Sequence, residues 1–276
     1  MLRLGIWAST DDFAGMDFPV KVLTGSLEQL TQRAVGLGYD GLEFMPDPDK
    51  VPDPEALRRA MQEAGATLLV VNSGRLGVQG YALLSRDAVM RRQSVTVMKT
   101  LLEFGGYLGS RVSLGAMCRG NQNPGITPDD SAKVAEDVFR ELAEHAEKVG
   151  TVVMLEPAPR GRAYVDTTRQ AVEWVKRINS PSFNLHLDIE TIRLTESSFE
   201  YAIRAAEGLP DHIHLHDRDH WPPGLLPTEE SVDWLRIAAL LRATAFEGSG
   251  AVALAPRGDA DAAARKTSAF LRELLG

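Results

Sequence analysis

Short apolar runs alternate with longer segments whose apolar residues recur every three or four positions, and this alternation repeats eight times along the chain. The predicted strands are LRLGIW (Leu2–Trp7), YDGLEF (Tyr39–Phe44), TLLVVN (Thr67–Asn72) and RVSLGAM (Arg111–Met117) in the first half. TVVMLE (Thr151–Glu156), FNLHLD (Phe183–Asp188), DHIHLH (Asp211–His216) and AVALA (Ala251–Ala255) follow in the second. Each precedes a helical pattern that carries its own boundary signals. Thr127 is a predicted N-cap, Pro128 suits the first turn, and Asp129 and Asp130 suit the positive end of the helix dipole. Val134, Ala135, Val138, Phe139, Leu142, Ala143 and Ala146 then line one broad face. Gly150 closes that pattern, as Gly38 and Gly65 do before the second and third strands. The periodicity over Ser85–Leu108 predicts the third helix with an extension at its start.

Strict strand–helix alternation demands right-handed crossovers and a mostly parallel sheet. Eight units in 276 residues predict a closed α/β (β/α)8 TIM barrel spanning 1–276 as a single domain. An open doubly wound sheet should carry a glycine-rich phosphate turn after its first strand, and IWASTDDFAGMDF has none. The composition is that of a soluble globular chain, 44% hydrophobic and 25% charged. The single cysteine, Cys118, excludes an internal disulfide framework and fits a reducing compartment. No run approaches the roughly 18 apolar residues needed to span a bilayer, and the opening residues do not resemble a signal peptide. A cytoplasmic protein without a membrane partner is expected. The net charge of −8 argues against nucleic acid as a partner. Homo-oligomerisation stays open.

In such a barrel, functional side chains project from the C-terminal ends of the strands. Three late strands end in ionisable groups: Glu156, Asp188 and the run HIHLHDRDH, which holds four of the six histidines. Alternation puts His212, His214 and His216 on one face of their strand, and His186 and Asp188 on one face of theirs. His186 and His212 lie deeper and are expected to satisfy each other or the backbone in the core. Glu156, Asp188 and His214 on consecutive strands form a candidate divalent-metal site for Mn²⁺, Mg²⁺, Co²⁺ or Zn²⁺, against chance clustering as the alternative.

At GYDGLEF, VVMLEP, NLHLDIET and HIHLHD, and in the closing stretch GLLPTEESVDWLRIAALLRATAFEGSGAVAL, the chain resembles the xylose isomerase-like TIM barrels. That superfamily includes sugar isomerases and epimerases, inosose dehydratases and endonuclease IV. The resemblance implies a metal held by Glu on the fifth strand, Asp on the sixth, His on the seventh and Glu on the eighth. Glu156, Asp188 and His214 match, whereas Ala255, followed by Pro256 as Glu156 is by Pro157, stands where the second Glu is expected. Thr191 stands where the family commonly places a histidine.

The resemblance implies a sugar, sugar phosphate or keto-acid isomerase or epimerase that moves a proton next to a carbonyl while the metal polarises the oxygens. Only Glu156 of the usual two-glutamate pair is kept, so His216 and His220 are the substitute proton-transfer candidates. Trp7, Asn72 and Arg160 are candidate substrate contacts, with Arg162 and Arg257 as further anion-binding candidates and Phe44 as an apolar wall. Asp217 is expected to support His214 or join the metal shell, Glu190 shares parity with Asp188, and Glu43 matches an acid common in the family, with the helix side as the alternative direction for its side chain. The alternatives are a lyase or dehydratase of the same superfamily, or a small-molecule-binding barrel that lost catalysis with Ala255. An abasic-site nuclease ranks last, because the third and fourth strands end in Asn72 and at Gly115–Met117 where added histidines would be needed.

Overall fold

The computed structural model describes residues 2–16, 20–115, 128–159, 164–226, 231–255 and 258–276. Its eight principal strands follow chain order: β1 (Arg3–Ser9), β2 (Gly41–Phe44), β3 (Thr67–Asn72), β4 (Arg111–Leu114), β5 (Val153–Leu155), β6 (Phe183–Asp188), β7 (Pro210–His214) and β8 (Ser249–Val252). Neighbours pair in parallel, and β1 pairs with β8 from Arg3 opposite Ser249 to Ile6 opposite Val252, which closes the barrel. A two-residue strand, Leu23–Thr24, extends β1 at the mouth. Helices surround the sheet, and the molecule is the single-domain TIM barrel that the alternation predicts.

Strand alternation decides what the barrel contains. Leu4, Ile6, Leu42, Phe44, Val112, Leu114, Val153, Leu155, Leu185, Leu187 and Ile213 are buried against helix residues such as Leu30, Leu57, Leu102, Phe139, Val175, Ile237 and Leu271. The opposite parity therefore points to the axis. A small apolar cluster of Leu69, Val70 and Met154 fills part of the interior, with Leu69 over Gly5, where an added Cβ would lie 2.9 Å from its Cδ1. Polar groups fill the next part: Ser113 Oγ lies 2.9 Å from His186 Nδ1, and Ser249 Oγ 2.7 Å from His212 Nδ1.

Several boundaries differ from the pattern-based expectation. β7 stops at His214 and β8 at Val252, so His216 and Ala255 lie beyond the paired ladder, in the mouth. The helix expected over Ser85–Leu108 spans Ala88–Leu108, because Asp87 caps it by accepting from the Val89 and Met90 amides. A short helix, Gly74–Val78, follows β3 where periodicity gave no signal. Among the described residues no helix is long and apolar enough to cross a membrane.

Gly41 tests this geometry. A Cβ there would sit 1.7 Å from the Thr67 carbonyl oxygen, whereas Gly36, at the end of an outer helix, has nothing within 4 Å. Gly41→Ala should cost about 3 kcal/mol or more, seen as a lower urea midpoint. Gly36→Ala should leave the midpoint unchanged or raise it.

Candidate active site

The mouth collects charged groups from four strands. Asp188 ends β6 and also caps the next helix: its Oδ1 accepts from the Thr191 amide at 2.7 Å, which leaves Oδ2 facing His214 Nδ1 at 3.2 Å. Thr191, at the position where a histidine was the family expectation, contributes through its backbone. Glu156 follows β5, and its Oε1 lies 3.3 Å from the same His214 nitrogen. Glu156, Asp188 and His214, joined in the sequence reading only by strand order, therefore meet at one atom.

Glu43 anchors this meeting point, which decides between the two directions open to its side chain. Leu42 and Phe44 take the helix-facing side of β2, so Glu43 turns inward and is 1% exposed. Its Oε2 accepts from His212 Nε2 and its Oε1 from His214 Nε2, both at 2.9 Å, and Asn72 Nδ2 also donates to Oε1. Burial by itself opposes a charge on Glu43, yet the two imidazoles hold its carboxyl well below the usual range. Burial likewise opposes a charged His214, but Glu43, Glu156 and Asp188 together raise its pKa well above the ordinary value. For His212 burial dominates and lowers the pKa, against the pull of Glu43. Asp188 is also held low, because its bond to His214 and the nearby His216 outweigh its burial.

Because Glu43 accepts from Nε2, the Nδ1 atom of His214 is the one that faces Asp188 and Glu156. Two carboxylates and one imidazole nitrogen converging in this way suit a divalent cation, which would take the place of a shared proton. Asp188, His214 and His216 also present ligating atoms that all lie within 4.8 Å of one another, as do His186, His212 and His214. In the second group His212 is committed to Glu43 and Ser249, and His186 Nδ1 to Ser113. Ala255 is buried at the mouth and supplies no donor.

The remaining candidates fall in different places. His216 is fully buried beside Trp7, His214 and His220, with ring centroids 5.2, 5.4 and 5.4 Å away. Burial pulls its pKa to about 3, so its ring is neutral near pH 7. His220 closes a turn in which Asp219 and His220 both adopt positive φ. Trp7 stands edge-on to His214 at 4.6 Å and joins Phe13, Met45, Ala251 and Ala253 in an apolar wall. Phe44 lies in the outer core instead, so it lines no part of that wall. The Asn72 amide is engaged from both ends, donating to Glu43 and accepting from the Gly74 amide at 2.6 Å. Asp217, expected at His214, instead accepts from Val232 N and Trp234 Nε1 at 3.0 and 2.9 Å and from Ser231 Oγ. Glu190 is clamped by Arg193 through two contacts of 2.7 Å. Arg160, Arg162 and Arg257 lie outside the described residues.

Comparison with known proteins assigns the chain to a family. The profile described as xylose isomerase-like TIM barrel matches residues 31–274. The D-psicose 3-epimerase of Enterocloster bolteae is 24% identical over 257 residues, covering 87% of this chain and 82% of that protein. The 3-dehydro-D-guloside 4-epimerase of Escherichia coli is 24% identical over 216 residues, 77% of this chain and 80% of that protein. A solved structure of L-ribulose 3-epimerase superposes with a TM-score of 0.81 at 20% identity, covering 100% of this chain and 95% of that one.

Glu43 is the residue whose loss should be felt most. Glu43→Ala strands two buried imidazole N–H groups, and denaturant unfolding should show a loss of about 3–5 kcal/mol. Asn72→Ala removes one donor from the same carboxylate and should cost about 1–2 kcal/mol. Equal effects of the two would show that the Glu43 bridge is not what holds the site.

Proposed function

Because the chain belongs to the xylose isomerase-like TIM barrel family, we propose that its mouth is the active site of a divalent-metal-dependent isomerase or epimerase acting on a small ketose or related sugar. The convergence of Glu156 Oε1 and Asp188 Oδ2 on His214 Nδ1, at 3.3 and 3.2 Å, carries this reading. Glu156, Asp188 and His214 would hold the metal. Once bound, it supplies Lewis-acid polarisation of a substrate carbonyl and its neighbouring hydroxyl. The relatives named as sugar epimerases support the substrate class.

The chain's own residues divide the remaining work. Glu156, through the oxygen that does not face His214, takes the proton from the carbon next to the carbonyl, leaving the substrate as its enediolate. Return of a proton to the same carbon from the opposite face gives the epimer, and return to the neighbouring carbon gives the isomer. The usual second glutamate is replaced by Ala255, so return from the opposite face falls to His220, next to the buried His216. Trp7 and its apolar wall cover the sugar and keep water from the reacting carbon. Glu43 fixes which nitrogen of His214 faces the metal.

A ketose panel run in D2O, with the protein stripped by chelator and then reloaded with Mn²⁺, Mg²⁺, Co²⁺ or Zn²⁺, provides the test. Loaded protein should convert at least one sugar with deuterium appearing at the carbon next to the carbonyl. Chelation should abolish conversion, and Glu156→Gln should slow it by about 100-fold or more. Conversion indifferent to both treatments sinks the proposal. Ala255 favours a second reading, a sugar-binding barrel without turnover, which would appear as thermal stabilisation by a sugar that is never converted.

A further inference from the structure

Among the described residues of the mouth, His216 stands out as a ring with both nitrogens unpartnered. It is fully buried, and neither ring nitrogen has a hydrogen-bond partner there. Burying a polar group without a partner costs on the order of 1–3 kcal/mol, so an imidazole in this state points to something that it binds. The other buried histidines each hold a side-chain partner: His212 bonds Glu43 and Ser249, His214 bonds Glu43 and faces Asp188, and His186 Nδ1 bonds Ser113.

The position of His216 fits one occupant. Its ligating atom lies within 4.8 Å of those of Asp188 and His214. Ligands around a single small divalent cation, each at roughly 2.1 Å, stand about 3.0–3.5 Å apart. Side-chain rotation of an ångström or so therefore closes the set of Asp188, His214 and His216, to which Glu156 is linked by its 3.3 Å contact with His214. Past the end of the neighbouring β8, buried Ala255 offers a methyl group where the family resemblance calls for a carboxylate. A donor is missing on the eighth strand, and an uncommitted one stands two residues past His214 on the seventh.

We propose that His216 is a metal ligand that stands in for the absent carboxylate at Ala255, so that the cation is held by Glu156, Asp188, His214 and His216. This rests on the metal-dependent reading above and extends it to the choice of metal. Two carboxylates and two neutral imidazoles leave a bound divalent cation with no net charge, where a third carboxylate would leave one negative charge. A nitrogen-rich, less anionic shell favours Co²⁺ or Zn²⁺ over Mg²⁺ and Mn²⁺.

Metal binding to the full-length chain, measured by competition with a chromophoric chelator, tests this without any assay of turnover. Wild-type protein should bind Co²⁺ and Zn²⁺ at least about 10-fold more tightly than Mn²⁺. His216→Ala should weaken Co²⁺ binding by at least about 10-fold, since even groups one shell removed are worth 10- to 100-fold. Adding Ala255→Glu to His216→Ala should restore binding and shift preference towards Mn²⁺. In Co²⁺-loaded wild-type protein, NMR should show two strongly shifted, exchangeable imidazole N–H signals, a count that needs no variant to fold. One such signal, or Co²⁺ affinity unchanged in folded His216→Ala while Glu156→Ala loses it, overturns the role of His216 and leaves the metal reading standing. Wild-type protein that binds none of these cations overturns both.

Discussion

Glu43 accepts a hydrogen bond from each of two buried imidazoles, and the order of the site follows from that bridge. A carboxylate sealed in a barrel is costly unless its oxygens are occupied. Here three donors, His212, His214 and Asn72, occupy them. In return the carboxylate decides the protonation of both rings. His212 is left to take a hydroxyl hydrogen from Ser249 on its other nitrogen, and His214 is left to present Nδ1 to Asp188 and Glu156. Rotation of Glu43 out of the barrel would leave His214 with no defined tautomer and the two mouth carboxylates with no common focus.

That focus is asymmetric around the barrel. Glu156, Asp188, His214 and His216 lie at or just past the ends of the fifth to seventh strands, while Ala251 on the eighth, with Ala253 and Ala255 just past it, gives apolar and small-residue surface. Trp7 completes that side from β1. The mouth thus has a charged half and an apolar half, the division on which the proposed function rests. The loop after β7 is tied down separately. Asp217 gathers Ser231, Val232 and Trp234, which fixes the chain on both sides of His220 and leaves the acid itself out of the chemistry.

Much of this was legible in the sequence, for identifiable reasons. The eight-fold alternation needed only periodicity, because parallel strands buried on both faces and amphipathic helices have different repeats. Glu156, Asp188 and His214 stood out because each ends a strand in a fold whose strand ends carry function. The direction of Glu43 stayed open although its signal was present: Leu42 and Phe44 flank it, and if they face the helices, Glu43 must face the axis. Asp217 was misread because its partners lie 14 to 17 residues away in a loop with no periodic pattern.

The sequence by itself determined the barrel and the strand ends that bear charge, since each is written in local residue order. Tertiary structure decided which nitrogen of His214 faces the carboxylates, that His216 is sealed in beside them, and that Asn72 and Asp217 are spent on internal bonds. Those facts depend on distances between strands far apart in the chain. Hydrogen bonding is directional over about 3 Å, so no spacing along the sequence encodes which of several eligible partners a buried ring will meet.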